Sequence, residues 1–294
     1  WLVANNDIKD FSDLEGKKGE LPAYLSKGFL KSGFFVFRNS WGEDATQMVV
    51  KAGPKAFWHC QPDNGTFEMW FNGKNLFPDS GSYVYAGSKE VNEERNWFRQ
   101  TAVHNTLTLN NKNLDQTNSK TLLWQPEGDI QTLVTENPSY KNLTHRRSIF
   151  FVNNTYFVIV DEAIGAAKGF VNLHYQMPKG KIANSREDMT FVTEFESGSN
   201  MKLQCFGPDG MSMKKEEGWA STAYRKKFKR MNVSFNVKKE DDAVRYITII
   251  YTMKDSADAP AMSAKFKTKK FDGKNLKVEV KVGGKKQSLK YTLQ

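Results

Sequence analysis

Thr66-Phe67-Glu68-Met69-Trp70-Phe71-Asn72-Gly73 is the stretch on which the fold turns. Phe67, Met69 and Phe71 recur with period two, the spacing that sets alternate side chains on one face of a pleated strand. Asn72-Gly73 closes the run, and both residues tolerate the positive φ that the centre of a two-residue hairpin needs. The same pattern extends outward. Upstream, Phe34-Phe35-Val36-Phe37-Arg38 and Gln47-Met48-Val49-Val50-Lys51 are short apolar runs, and Pro62-Asp63-Asn64-Gly65 is a strong turn signal. Downstream, Pro78-Asp79-Ser80-Gly81 turns the chain again, and Tyr83 and Tyr85 resume the alternation.

Further strands are expected over 103–109, 148–153, 156–160, 166–177, 191–196, 201–206, 231–237 and 244–253, with Asn153-Asn154 turning one pair into a hairpin. Residues 263–293 alternate polar and apolar around Asp272-Gly273 and Gly283-Gly284, as edge strands do. Helical periodicity is nearly absent; 90–100 fits a short helix or a loop. Many strands at short spacing, separated by Gly, Pro and Asn turns, predict an all-β, multi-layer antiparallel β-sandwich. The expected organisation is a connector over 1–32, a main sandwich over 33–262 and a small Lys-rich sheet over 263–294.

Composition bounds the partners. The 294 residues include 21 Phe, 10 Tyr and 7 Trp, side chains that favour strands. No run of 18 apolar residues exists to span a membrane. Lys and Arg number 43 against 33 Asp and Glu, a net charge of +10 that suits polyanionic partners or serves solubility alone. Apart from 225–230 and the tail, the cations are dispersed. No zinc-finger spacing or RNA-binding aromatic motif accompanies them, which argues against nucleic acid. Cys60 and Cys205, far apart, read as free thiols. The chain begins Trp1-Leu2-Val3 without Met, and its first thirty residues lack pattern, as a piece of a longer chain would.

Histidine is scarce: His59, His104, His145 and His174. In Phe57-Trp58-His59-Cys60-Gln61, an extended backbone would put His59 and Gln61 on one face and Cys60 on the other. The bland alternative is a satisfied histidine at a strand edge. Asp79 suits a turn, where its side chain caps backbone N–H groups, and His104 alone reads as a strand histidine. Together, Gln61, Asp79 and His104 supply one imidazole nitrogen and two kinds of oxygen, a donor set able to hold a divalent cation with positions left open.

The ordered motifs His59-Cys60-Gln61-Pro62-Asp63-Asn64-Gly65-Thr66-Phe67, Pro78-Asp79-Ser80-Gly81, Arg95-Asn96-Trp97-Phe98-Arg99-Gln100-Thr101 and His104-Asn105-Thr106 resemble the heparinase II/III family of polysaccharide lyases. Val158-Ile159-Val160-Asp161-Glu162 and Asn172-Leu173-His174-Tyr175 resemble it more loosely. The resemblance implies a two-part enzyme, an N-terminal helical toroid against a C-terminal β-sandwich, of which this chain matches the second part. It implies β-elimination next to a uronic acid in an acidic polysaccharide of the heparan sulfate type, in a periplasmic or secreted bacterial protein. It implies His59 as the general base and Gln61, Asp79 and His104 as ligands of a divalent metal. Calcium or manganese suits the amide oxygen of Gln61, and zinc is the alternative. Arg95, Arg99 and Asn105 are expected near substrate, and Arg146 and Arg147 are further candidates for sulfate or carboxylate. The tyrosine acid and carboxylate-neutralising asparagine of the family belong to the helical part and have no counterpart here. Two rival readings remain: a non-catalytic module gripping sulfated glycan, and a lyase for another polyuronide such as alginate.

Overall fold

The computed structural model describes residues 21–55, 60–268 and 271–294. The expected base His59 lies outside the described residues, as does most of the 1–32 connector. In chain order, β1 (Lys27–Phe29), β2 (Phe34–Arg38), β3 (Thr46–Lys51), β4 (Phe67–Phe71) and β5 (Lys74–Asn75) form a five-stranded antiparallel sheet. The sheet therefore starts inside the stretch read as connector. One helix, α1 (Lys89–Phe98), follows and resolves the helix-or-loop ambiguity in favour of helix. Its N-cap Ser88 accepts from the Val91 N–H, and Phe98 anchors it to the core.

The remaining strands are β6 (Leu107–Leu109), β7 (Lys120–Gln125), β8 (Ile130–Tyr140), β9 (Leu143–Val152), β10 (Tyr156–Ile164), β11 (Gly169–Gln176), β12 (Ile182–Ser185), β13 (Thr190–Thr193), β14 (Asn200–Phe206), β15 (Ser212–Ala223), β16 (Lys226–Lys239), β17 (Ala243–Met253), β18 (Met262–Phe266), β19 (Asn275–Val282) and β20 (Lys285–Thr292). An eight-stranded sheet runs β12-β13-β14-β17-β10-β9-β8-β7, a four-stranded sheet β15-β16-β11-β6, and a three-stranded sheet β18-β19-β20. The last sheet begins at Met262, one residue before the Lys-rich segment as read from sequence.

The eight-stranded sheet is the middle layer. Phe151, Phe157, Ile159 and Leu203 on one face join Phe37 and Met69 of the five-stranded sheet and Leu173 and Phe235 of the four-stranded sheet in one core. Phe150, Val158, Val160 and Ile249 on the other face join Val278, Val280 and Leu289 of the three-stranded sheet in a second. Two buried faces explain why 149–152 and 157–160 read as unbroken apolar runs while β3 and β4 alternate. Asn72 and Gly73 (φ 48° and 71°), like Asn153 and Asn154 (49° and 53°), occupy the left-handed region that tight hairpins require.

Two local expectations fail. Residues 101–103 form a 3-10 turn, and strand begins only at Leu107, so His104 stands at the end of a turn. Tyr83 takes φ 57° in a loop, so the Tyr83/Tyr85 alternation is no strand.

Histidine 174 gives the fold a pH signature. On the outer face of β11 its Nε2 meets Thr108 Oγ1 at 2.8 Å, while Nδ1 is buried without a partner. Burial pushes its pKa down from 6.5 to about 4. A depressed histidine means the unfolded chain binds the extra proton first, so stability falls as pH drops from about 6.5 toward 4, by up to about 1.4 kcal/mol per pH unit. Between pH 7 and 4.5 the urea midpoint of the wild type should fall more steeply than that of His174→Gln. Parallel curves would contradict this assignment.

Candidate functional site

Three segments distant in sequence meet through the contacts of Gln61, Asp79 and His104. His104 Nδ1 lies 2.6 Å from Asp79 Oδ2. Asp79 Oδ1 accepts from the Gly81 N–H at 2.7 Å, and the Gly81 carbonyl accepts from Gln61 Nε2 at 3.4 Å. The structure thus brings Gln61, Asp79 and His104 together. Asp79 keeps the turn role its sequence context offers and adds the histidine contact to it.

His104 is fully buried. Burial disfavours charge on both partners, but their mutual attraction wins, holding the Asp79 carboxyl low and the His104 imidazole high. With Nδ1 engaged by Asp79, the buried Nε2 of His104 has no hydrogen-bond partner among the described residues. Gln61 Oε1 is likewise buried without a partner among the described residues. Buried polar atoms are normally satisfied, so each of these two atoms is open to a partner from outside the described residues. A carboxylate behind the far ring nitrogen is how metal-bound imidazoles are commonly oriented. Among the described residues no three His, Cys, Asp or Glu side chains cluster, so a cation here depends on the amide oxygen of Gln61.

The loop carrying Asp79 is clamped from both sides. Arg230 donates to the Pro78 carbonyl, to Ser80 Oγ and, at 3.0 Å, to the Trp219 carbonyl. Ser80 Oγ donates onward to the Val103 carbonyl at 2.7 Å, joining this loop to the turn before His104. Burial lowers the Arg230 guanidinium to about 10. On the other side Glu68 Oε2 accepts from the Asp79 N–H at 3.2 Å and from Asn75 Nδ2 at 2.7 Å. In sequence Arg230 was one more cation in a basic run; its only distinguishing signal is its place in a strand that alternates.

A second buried network supports the same loops from beneath. Asp161 accepts from His145 Nε2 at 2.6 Å and from Arg147 Nε at 2.7 Å. Arg147 Nη1 also holds the carbonyls of Gly65 and Asn105, the latter at 2.6 Å. Gly65 sits at φ +88°, and a Cβ there would stand 3.2 Å from Thr106 Oγ1, so the turn closes tightly against the His104 segment. Burial alone would raise the Asp161 carboxyl, but Arg147 and then His145 hold it low.

These contacts correct three expectations. Arg147 is 1% exposed and engaged with Asp161 and two carbonyls, so it faces no solvent-borne sulfate. Arg146 is buried and paired with Glu136 at 2.5 Å. Asn105, expected near substrate, is fully buried: its amide donates to the carbonyls of Phe67 and Phe77 and accepts from the Gln176 N–H at 2.6 Å. It ties β4, β11 and the loop at Phe77 together instead. Arg99, half-buried, donates to the Cys60 carbonyl at 3.0 Å, next to position 59. Arg95 lies in the last turn of α1. Residues 60–62 are not strand, so the alternating-face argument for Cys60 does not hold there, and neither Cys60 nor Cys205 is in a disulfide.

Comparison with known proteins gives the site its context. A sequence profile described as "Heparinase II/III-like, C-terminal" matches residues 22–265. The chain is 79% identical over 293 residues to a "Heparin-sulfate lyase" of Bacteroides stercoris, covering 99% of this chain and 44% of that protein. It is 37% identical over 288 residues to a "Heparin-sulfate lyase" of Pedobacter heparinus, covering 97% and 43%. A solved heparinase III superposes with a TM-score of 0.94 at 77% identity, over 98% of this chain and 46% of the other. A crystal structure of heparan sulfate lyase from Pedobacter heparinus gives 0.90 at 36% identity, over 99% and 46%. The chain thus spans less than half the length of the curated relatives it matches. The profile runs from before β1 into β18, the fold match covers 98% of the chain, and the chain belongs to the heparinase II/III-like C-terminal family.

Proposed function

We propose that this chain is the β-sandwich part of a lyase that cuts heparan-sulfate-like glycosaminoglycan by β-elimination beside a uronic acid. The observation that carries the reading is the 79% identity, over 99% of the chain, to a protein named heparin-sulfate lyase. His59 is the base: it takes the proton from C5 of the uronate, the C4–O bond to the leaving sugar breaks, and a C4=C5 double bond forms. The departing oxygen receives a proton from an acid that we assign to a partner helical domain rather than to this chain. An imidazole suits the first step because its ordinary pKa, roughly 6.5, lies near working pH. Arg99, fastened to the Cys60 carbonyl, positions the backbone beside His59.

His104, through Nε2, and Gln61, through its amide oxygen, are the residues that would meet a divalent ion, calcium or manganese before zinc, with Asp79 orienting the His104 ring from its Nδ1 side. Bound there, it supplies fixed positive charge that ties together the loops flanking His59. The orphaned His104 Nε2 and Gln61 Oε1 support this assignment. Asp79→Ala should then lower the melting temperature by several degrees, and a chelator should reproduce that fall in the wild type while adding nothing to the variant. Well-folded protein with no ion by elemental analysis would remove the metal from the account. A large extracellular polyanion as substrate places the enzyme in the periplasm or outside the bacterial cell, which fractionation would check.

The test of the reading is a substrate panel. The intact protein incubated with heparan sulfate, heparin and alginate should release ultraviolet-absorbing ends fastest from heparan sulfate. Preference for alginate would move the enzyme to another polyuronide, and binding without cleavage would make it a glycan-gripping module.

A further inference from the structure

Away from the Asp79–His104 site, the outer face of the four-stranded sheet carries a groove of about 640 Å³. One row of side chains crosses the four strands here, and Asn172, Asn236 and Ser212 of that row line the groove. Asn172 of β11 lies opposite Thr108 of β6 and Asn236 of β16, and Asn236 lies opposite Ser212 of β15. Asn172 donates to Asn111 Oδ1 at 2.8 Å, drawing the β6–β7 connection onto this row. At one end stands Phe170, 56% exposed although it belongs to a strand. Its backbone is fixed: Asn110 donates to the Phe170 carbonyl at 2.7 Å, and Asn110 Oδ1 accepts from the Phe170 N–H at 2.8 Å. The preceding Gly169, at φ +140°, leaves room for Asn110, whose Oδ1 a Cβ would approach to 2.5 Å. The turn therefore presents an aromatic ring to solvent on a rigid base.

The rim is cationic, with Arg186, Lys214 and Lys215, and no carboxylate lines the groove. Glu216 reaches Lys214 at 2.5 Å, but both side chains are largely exposed and so lightly held. Amides along the row, a fixed ring at one end and guanidinium and ammonium groups on the rim match sugar hydroxyls, a pyranose face and sulfate or carboxylate respectively. A groove of this volume is in the range that takes an oligosaccharide rather than an ion. From Gln176, which donates to the Ala102 carbonyl beside His104, the strand runs six residues to Phe170, about 20 Å at strand spacing.

We propose that this groove is a second glycan-binding site, which holds sulfated sugar units of the polymer while cleavage takes place elsewhere on the molecule. The choice of a sulfated glycan rests on the lyase reading. The groove raises the residence of long chains without touching the reacting bond, as linked sites do.

The experiment is calorimetric titration of the intact protein, in a His59→Ala background, with a heparan sulfate tetrasaccharide too short to reach both sites. Two sites per molecule are expected, and Phe170→Ala combined with Asn236→Ala should leave one. Lys277→Ser, on the three-stranded sheet, should leave two. In the active protein the groove variant should raise KM for polymer several-fold with kcat unchanged and should not alter turnover of the tetrasaccharide. An unchanged number of sites in the groove variant overturns the proposal. Should the protein cleave nothing, loss of a site in the groove variant would still uphold the groove while the lyase reading fell. Normal cleavage with no groove site would do the reverse.

Discussion

His59→Ala in the intact protein should lower the rate of unsaturated-end formation by roughly 10²–10⁴-fold while leaving the melting temperature within a few degrees of wild type. The size follows from the chemistry. The C5 proton of a uronate is a weak acid, and without a positioned base water alone must remove it. The small stability effect follows from the two networks that build the site, Asp79–His104 with its Arg230-clamped loop and Asp161–His145–Arg147, whose contacts given above all run between other residues. Cleavage rate read by ultraviolet absorbance and unfolding read by circular dichroism separate the two effects. A near-normal rate would take His59 out of the mechanism, and collapse of the fold would assign it to structure.

The largest effect on stability should come from Arg147→Met, which we expect to cost about 3–5 kcal/mol, the usual loss when one partner of a buried ion pair is removed. Asp161 is wholly buried and would keep only His145 as a partner, while the carbonyls of Gly65 and Asn105 would lose their donor. For a domain of this size that loss lowers the melting temperature by about 10 °C. The double variant Arg147→Met/Asp161→Leu should recover part of it, because an apolar pair leaves no stranded charge. Urea unfolding of the wild type, both singles and the double would measure the coupling; additive losses would mean the two side chains act independently. Because Arg147 supports the loops of Gln61 and His104, its loss should also slow cleavage.

The layers were legible because the chemistry of the turns is local. Asn72-Gly73 and Asn153-Asn154 announce left-handed φ in the residue types themselves, and the structure places all four there. β9 and β10 were readable as unbroken runs because sheets cover both their faces. β15 was not, since Lys214, Lys215, Glu216 and Glu217 point to solvent and leave no apolar period to count. β8 hid behind Pro138, which sits where its pairing with β9 becomes irregular between Asn137 and Tyr140. Three site side chains, Gln61, Asp79 and His104, could be named from ordered motifs. Their supports could not, because Arg147, Arg230 and Asp161 are charged residues whose burial depends on partners 11 to 152 residues away. A solvated arginine and a buried one look alike in sequence. Asn105 misled for the same reason: an amide beside a candidate ligand suggests substrate, and only the strand carbonyls around it show otherwise.

The account stands most directly on the nature of the bond cleavage. Mass spectrometry of a size-defined heparan sulfate oligosaccharide, digested by the intact protein, should show two fragments whose masses sum to that of the parent, one of them ending in a 4,5-unsaturated uronate that absorbs in the ultraviolet. Fragments heavier by one water and lacking that absorbance would mean hydrolysis, and would contradict elimination by this family of folds in this protein.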